Sequence, residues 1–101
     1  MTRVLIVEDE PSFVEALQVS LGAEGFEVHA AVDGKAGLEA FRRVHPDVVL
    51  LDLMLPLLPG LDVLRAIRKD SDLPVIVVSA KGAEADIVSA LELGADDYVT
   101  K

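Results

Sequence analysis

The chain has 101 residues, 51% hydrophobic and 27% charged, the composition of a single globular domain spanning 1–101. A net charge of -9 and a pI near 4.4 argue against direct binding to nucleic acid or to an anionic membrane, and 4% aromatic residues leave few rings to stack on bases or flank a planar cofactor. Cysteine is absent, which excludes disulfide and thiol chemistry, and the apolar run at 4–7 is too short for a signal peptide or membrane span; a soluble cytoplasmic domain is expected.

Residues 3–7 read as a buried strand that runs straight into Glu8, Asp9 and Glu10. Pro11 suits the first turn of a helix, and Phe13, Leu17 and Leu21 recur every four residues, which places that helix at 11–24 with Gly22 and Gly25 at its end. Residues 27–32 form a less hydrophobic strand, expected at an edge. Asp33 caps the next helix, whose apolar side carries Leu38, Phe41 and Val44 and which stops at His45-Pro46. His45 is expected to serve that helix end, and His29 to be an exposed strand residue.

The run at 48–51 is short, apolar and set between Pro46 and Pro56, which suits a central strand buried on both faces; it ends on Asp52. A loop with Pro56, Pro59 and Gly60 leads to a helix with Leu61, Leu64 and Ile67 on one face and Arg65, Arg68 and Lys69 mostly away from it. Pro74 opens a strand at 75–78 that ends at Ser79, residues 81–83 read as loop, and 84–93 form a helix with Ile87 and Leu91 inward and Gly94 as its stop. Asp96 and Asp97 read as solvated turn acids, and 97–100 is a last strand before Lys101.

Five strands alternating with four helices make an α/β domain with a parallel sheet. A doubly wound order of 2-1-3-4-5 puts the first and third strands side by side and brings Glu8 and Asp9 to Asp52 in the crevice outside the strand ends. Three carboxylates that close raise one another's pKa and call for a cation; oxygen ligands select a hard one, and Mg2+ fits best. Ser79 and Lys101, at neighbouring strand ends, add a hydroxyl and an ammonium that would cradle a phosphoryl group while Asp52 attacks as nucleophile. Each residue also has a plainer reading: the acids at 8–10 favour a helix N-terminus, Ser79 is a strand-end hydroxyl, Lys101 a solvated lysine and Tyr98 a half-buried sheet residue. Their coincidence favours the functional one.

Val-Glu-Asp-Glu at 7–10, Asp-Leu-Met-Leu-Pro at 52–56 with Gly60, Val-Ser-Ala at 78–80 and Gly-Ala-Asp-Asp-Tyr-Val-Thr-Lys at 94–101 together resemble the receiver domain of bacterial response regulators, most closely that of the winged-helix transcription-factor subfamily. The resemblance covers the whole chain and implies a flavodoxin-like fold and a phosphorylation-dependent switch in two-component signalling rather than an enzyme. It implies that Asp52 is the phosphoacceptor, that Asp9, Asp52 and the backbone carbonyl of Met54 bind Mg2+, and that Glu8 acts mainly through water. Ser79 would bond a phosphoryl oxygen, Lys101 would pair with the phosphate, and Tyr98 would turn inward as Ser79 moves. The implied partners are a histidine kinase and a DNA-binding effector domain outside this chain.

Similar domains continue past the residue matching Lys101 with a proline, a loop and a fifth helix. The chain therefore reads as truncated, with apolar side chains of the first and third strands bared on one face. Ile87 stands where close relatives often carry a basic residue, so a homodimer, if formed, departs from the usual symmetric one. The loop at 57–59 is more apolar than is common. Three other functions compete: a metal-dependent phosphatase, which lacks its second acid because that position is Met54; a flavin-binding redox protein, which the acidic loop after the first strand disfavours; and a binding or structural module of the same fold that is never phosphorylated.

Overall fold

The computed structural model describes residues 1–79 and 84–101. The described elements are β1 (Arg3–Val7), α1 (Pro11–Ala23), β2 (Glu27–Ala31), α2 (Gly34–Val44), β3 (Val48–Leu51), α3 (Gly60–Asp70), β4 (Val75–Ser79), α4 (Glu84–Glu92) and β5 (Asp97–Thr100). The sheet is parallel throughout, in the order β2-β1-β3-β4-β5, with the weakly hydrophobic β2 at one edge. This is the expected doubly wound order, and it sets Val7 beside Leu51, and Leu51 beside Val77. The loop expected at 81–83 lies outside the described residues.

Local chemistry sets both ends of α2. The Asp33 carboxylate accepts from the Ala36 amide at 2.7 Å and starts α2; His45, in the left-handed region at φ 53°, ends it while donating its amide to the Phe41 carbonyl. Arg42 and Arg43 fall in the last turn of α2, where positive charge meets the negative end of the helix dipole.

The core lies on one face of the sheet. Leu5, Val7, Val49, Leu51, Val75 and Val77 are fully buried there, against Ala40 and Phe41 of α2, Val63, Leu64 and Ile67 of α3, and Ala90 of α4. Each such strand side chain is stabilised by about 2 kcal/mol on burial. On the other face Val4 and Ile6 are buried, but Val48, Leu50, Ile76 and Val78 are half-buried and Val99 is exposed, and α1 contributes no buried residue. Two expectations are thus corrected: β3 is closed on one face and half-open on the other rather than buried on both, and β1 is not bared, since Val4 and Ile6 are buried.

Three finer expectations also change. In α4 the fully buried residue is Ala90, whereas Leu91 is exposed and Ile87 half-buried. Arg68 is not turned away from the protein: its guanidinium donates to the carbonyls of Gly94, Leu73 and Ser71 and to the Asp96 carboxylate. Asp96 also accepts from the Val75 amide at 2.8 Å, so it holds the start of β4 rather than standing free in solvent. No helix among the described residues is long and apolar enough to cross a membrane.

Candidate functional site

Because Val7 and Leu51 are register partners, the residues that follow them leave the sheet together. Glu8 still donates its amide to the Ala31 carbonyl at 2.9 Å, and Asp52 donates to the Val7 carbonyl at 3.0 Å. Both side chains are thereby fixed at the C-terminal edge of the sheet, 3% and 5% exposed. Asp9 is exposed beside them. Carboxylate oxygens of Glu8, Asp9 and Asp52 lie within 4.8 Å of one another, as the strand order anticipates.

Lys101 enters from the far side. Its amide donates to the Ser79 carbonyl at 2.8 Å, which continues the β4–β5 ladder one residue past β5. Its side chain, 12% exposed, places Nζ 2.5 Å from Glu8 Oε1 and 3.4 Å from Asp52 Oδ2. The remaining oxygens are tied to backbone: Glu8 Oε2 accepts from the Glu10 amide at 3.0 Å, and Asp52 Oδ1 from the Met54 amide at 3.1 Å.

Electrostatics at the site follow from burial opposed by pairing. Burial pushes the Glu8 carboxyl above the usual carboxylate value; Lys101 and the Glu10 amide pull it back, and the neighbouring Asp52 adds to the rise. Burial also works against the charged form of Lys101, but Glu8 and Asp52 overcome it and raise the ammonium well above its ordinary value. The cluster sets three carboxyl groups against one ammonium and stays rich in negative charge. Among the described residues Glu8 Oε1 is buried, accepts no hydrogen bond of good geometry, and is met by Lys101 as an ion pair. An all-oxygen donor set, one of whose atoms is held by an ion pair and no hydrogen bond, fits a hard divalent cation.

Ser79 is 1% exposed at the end of β4, next to Thr100 in register. Tyr98, paired in register with Val77, packs its ring against the core, and its hydroxyl is buried without a hydrogen-bond partner among the described residues. Met54 carries its side chain into solvent, 72% exposed, and approaches the site through its backbone. Sequence reading missed two neighbours of Lys101: Glu10, with Oε2 3.4 Å from Nζ, and Phe13, whose ring centroid is 4.7 Å away. Their spacing after Glu8 is that of an acidic turn opening a helix, and nothing local reveals that a residue 91 positions away from Glu10 comes to meet it.

Comparison with known proteins gives the family and the fold. The family model described as the response regulator receiver domain matches residues 4–101. The chain belongs to the response regulator receiver domain family. Among its relatives is the sensory transduction protein RegX3 of Mycobacterium tuberculosis, 54% identical over 101 residues, which are all of this chain and 44% of that protein. The transcriptional regulatory protein CseB of Streptomyces coelicolor is 52% identical over 100 residues, 99% of this chain and 43% of CseB. This receiver chain thus spans less than half the length of those relatives. Among solved structures, the BeF3-activated N-terminal receiver domain of Klebsiella pneumoniae RstA superposes with a TM-score of 0.95 at 30% identity, covering 99% of this chain and 86% of that one. The receiver domain of the Francisella response regulator 1452 gives 0.92 at 30% identity, covering 100% and 84%. A receiver domain is a phosphorylation-dependent switch of two-component signalling rather than a conventional enzyme, and the doubly wound five-stranded fold is the one these structures share.

Proposed function

We propose that this receiver accepts a phosphoryl group on Asp52 from the phosphohistidine of a histidine kinase in the cytoplasm and passes the change to a DNA-binding effector domain outside residues 1–101. The observation that carries the reading is the meeting of Glu8, Asp9 and Asp52 at the C-terminal ends of β1 and β3 with the Lys101 ammonium between them. Mg2+ would be held by Asp9, Asp52 and the Met54 carbonyl, with Glu8 acting through water. Bound there, it supplies positive charge that neutralises the phosphoryl oxygens as they approach an acidic pocket.

This chain's own residues do the rest. An oxygen of Asp52 forms its bond to phosphorus as the bond to the donor imidazole nitrogen breaks, and the electron pair of that bond leaves with the imidazole. The Met54 amide holds Asp52 Oδ1, which leaves the second oxygen to attack. Lys101 pairs with the transferred phosphoryl group, and the Ser79 hydroxyl donates to one of its oxygens. Tyr98, whose buried hydroxyl has no partner among the described residues, is the aromatic that responds when Ser79 is drawn toward phosphate.

Intact-mass spectrometry of the chain with Mg2+ and a small acyl phosphate, beside an Asp52→Ala control, tests this. One phosphoryl adduct is expected, absent from the control and in the absence of Mg2+. A folded chain that takes up no phosphoryl group would leave a binding module of the same fold instead.

A further inference from the structure

The Lys101 ammonium has two sets of partners. One set is inside the site: Glu8 Oε1 at 2.5 Å and Asp52 Oδ2 at 3.4 Å. The other is at its rim: Glu10 Oε2 at 3.4 Å, on a side chain 55% exposed, and the face of Phe13 with its centroid 4.7 Å away. The rim set is built rather than accidental. The Glu10 amide is bonded to Glu8 Oε2, which turns the chain so that the Glu10 side chain comes back over the lysine. Phe13 follows in the first turn of α1, half-buried, with its ring beneath Nζ.

A divalent cation in the Glu8–Asp9–Asp52 cluster would draw on the charge that now serves Lys101, since among the described residues the ammonium is the partner of Glu8 Oε1. Two cations repel at such range, so the ammonium must withdraw from Glu8 as the divalent ion enters. A lysine released fully to water would no longer stand beside Asp52, and a buried ammonium without a partner is costly. Glu10 and Phe13 offer a carboxylate and an electron-rich ring face within a short swing of the same side chain.

We propose that Glu10 and Phe13 form a holding site for the Lys101 ammonium, keeping it beside Asp52 when a divalent cation displaces it from Glu8. Both are positioning residues, acting through Lys101 and not on the phosphoryl group. The inference rests on the cation site of the proposed function and adds to it the place where the displaced charge goes. It also gives Glu10 a role that charge near a helix N-terminus does not require.

The test is a set of double-mutant cycles on Mg2+ affinity, read by titration calorimetry on the full chain, with circular dichroism confirming the fold of each variant. With Lys101 present, Glu10→Gln should weaken Mg2+ binding about fivefold, the upper range for an ion pair open to solvent. Phe13→Leu should weaken it about threefold. In the Lys101→Met background both effects should shrink below twofold. If Glu10 acted by its own charge on the cation, Glu10→Gln would weaken binding at least as much without the lysine as with it. Phe13 carries no charge, so its effect escapes that confusion. Equal factors in the two backgrounds for both residues would overturn the holding site while leaving the cation site standing. No Mg2+ binding by the unaltered chain would overturn both.

Discussion

Gly60 is where the fold bears most directly on the site, and replacing it with alanine is the sharpest test of that link. It is the first residue of α3 and lies against the backbone at Asp52 and Leu53. A Cβ there would stand 2.3 Å from the Asp52 carbonyl oxygen and 2.5 Å from Leu53 Cα, where ordinary contact begins at 3.4 Å. The shortfall of about 1 Å falls on main-chain atoms, so no side chain can rotate to relieve it. Either the start of α3 retreats, stretching the 3.0 Å bond from the Gly60 amide to the Leu53 carbonyl, or the end of β3 turns and takes Asp52 with it. Overpacking of this kind costs about 1–3 kcal/mol, and the weakened hydrogen bond about 1 kcal/mol more. We expect Gly60→Ala to lose roughly 2–4 kcal/mol by urea unfolding and to take up phosphoryl group from acyl phosphate at least about tenfold more slowly, because a displacement near 1 Å misaligns a reacting carboxylate. Gly22→Ala is the internal control: its Cβ would meet nothing within 4 Å in α1, so it should stabilise by about 0.5–1 kcal/mol. A Gly60→Ala protein as stable and as quickly phosphorylated as the unaltered chain would refute the reasoning.

Arg68→Ala should destabilise by about 2–4 kcal/mol in urea unfolding, because the carbonyls of Gly94 and Leu73 lose their donors, at 2.7 Å for the shorter bond to Gly94 and 2.7 Å to Leu73. Arg68→Lys should recover less than half of that, since an ammonium cannot reproduce the planar fork. Leu57, 78% exposed at φ 68°, sits between the Pro56 carbonyl and the Leu58 amide that bonds to it at 2.8 Å, the strained positive-φ form of a three-residue turn. Leu57→Gly should therefore raise stability by about 1 kcal/mol, and a loss would show that the leucine side chain is held by contacts outweighing the strain. Glu27 is held below its ordinary value of 4.5 by the hydrogen bond from His29, with burial opposing and Arg3 assisting. A depressed carboxyl stabilises the fold above its unfolded pKa and loses that contribution as pH falls through the folded one. Glu27→Gln should thus be the less stable protein at pH 6, with the difference vanishing toward pH 3; a difference unchanged across that range would refute the pairing.

How far the chain declares itself depends on the range of the interaction involved. Alternation of apolar runs with four-residue periodicity, Asp33 before α2 and Gly94 after α4 are local signals, and they place the elements to within a residue or two. Asp52 at the end of the third apolar run stands out, because a carboxylate directly after a buried strand has few local uses, whereas the acids at 8–10 also suit the helix N-terminus that follows and gain weight only beside Asp52. These residues, with Ser79, Tyr98 and Lys101 at fixed spacings, were enough to point to the receiver family.

What the sequence could not weigh were quantities set by packing between distant segments. Arg68 looks like one of three outward charges on α3, and only the return of the chain through Gly94 and Asp96 surrounds it with acceptors. Val48 and Leu50 read as core, yet their burial depends on what covers that face of the sheet, which no run of four residues encodes. Lys101 is expected beside Asp52 from its strand-end position, but its contacts with Glu8, Glu10 and Phe13 follow only from the course of the β4–β5 ladder. Periodicity and capping are written along the chain, so the sequence by itself determined the elements and the acids; the partner of each charge is set across the chain, and only the tertiary structure decided it.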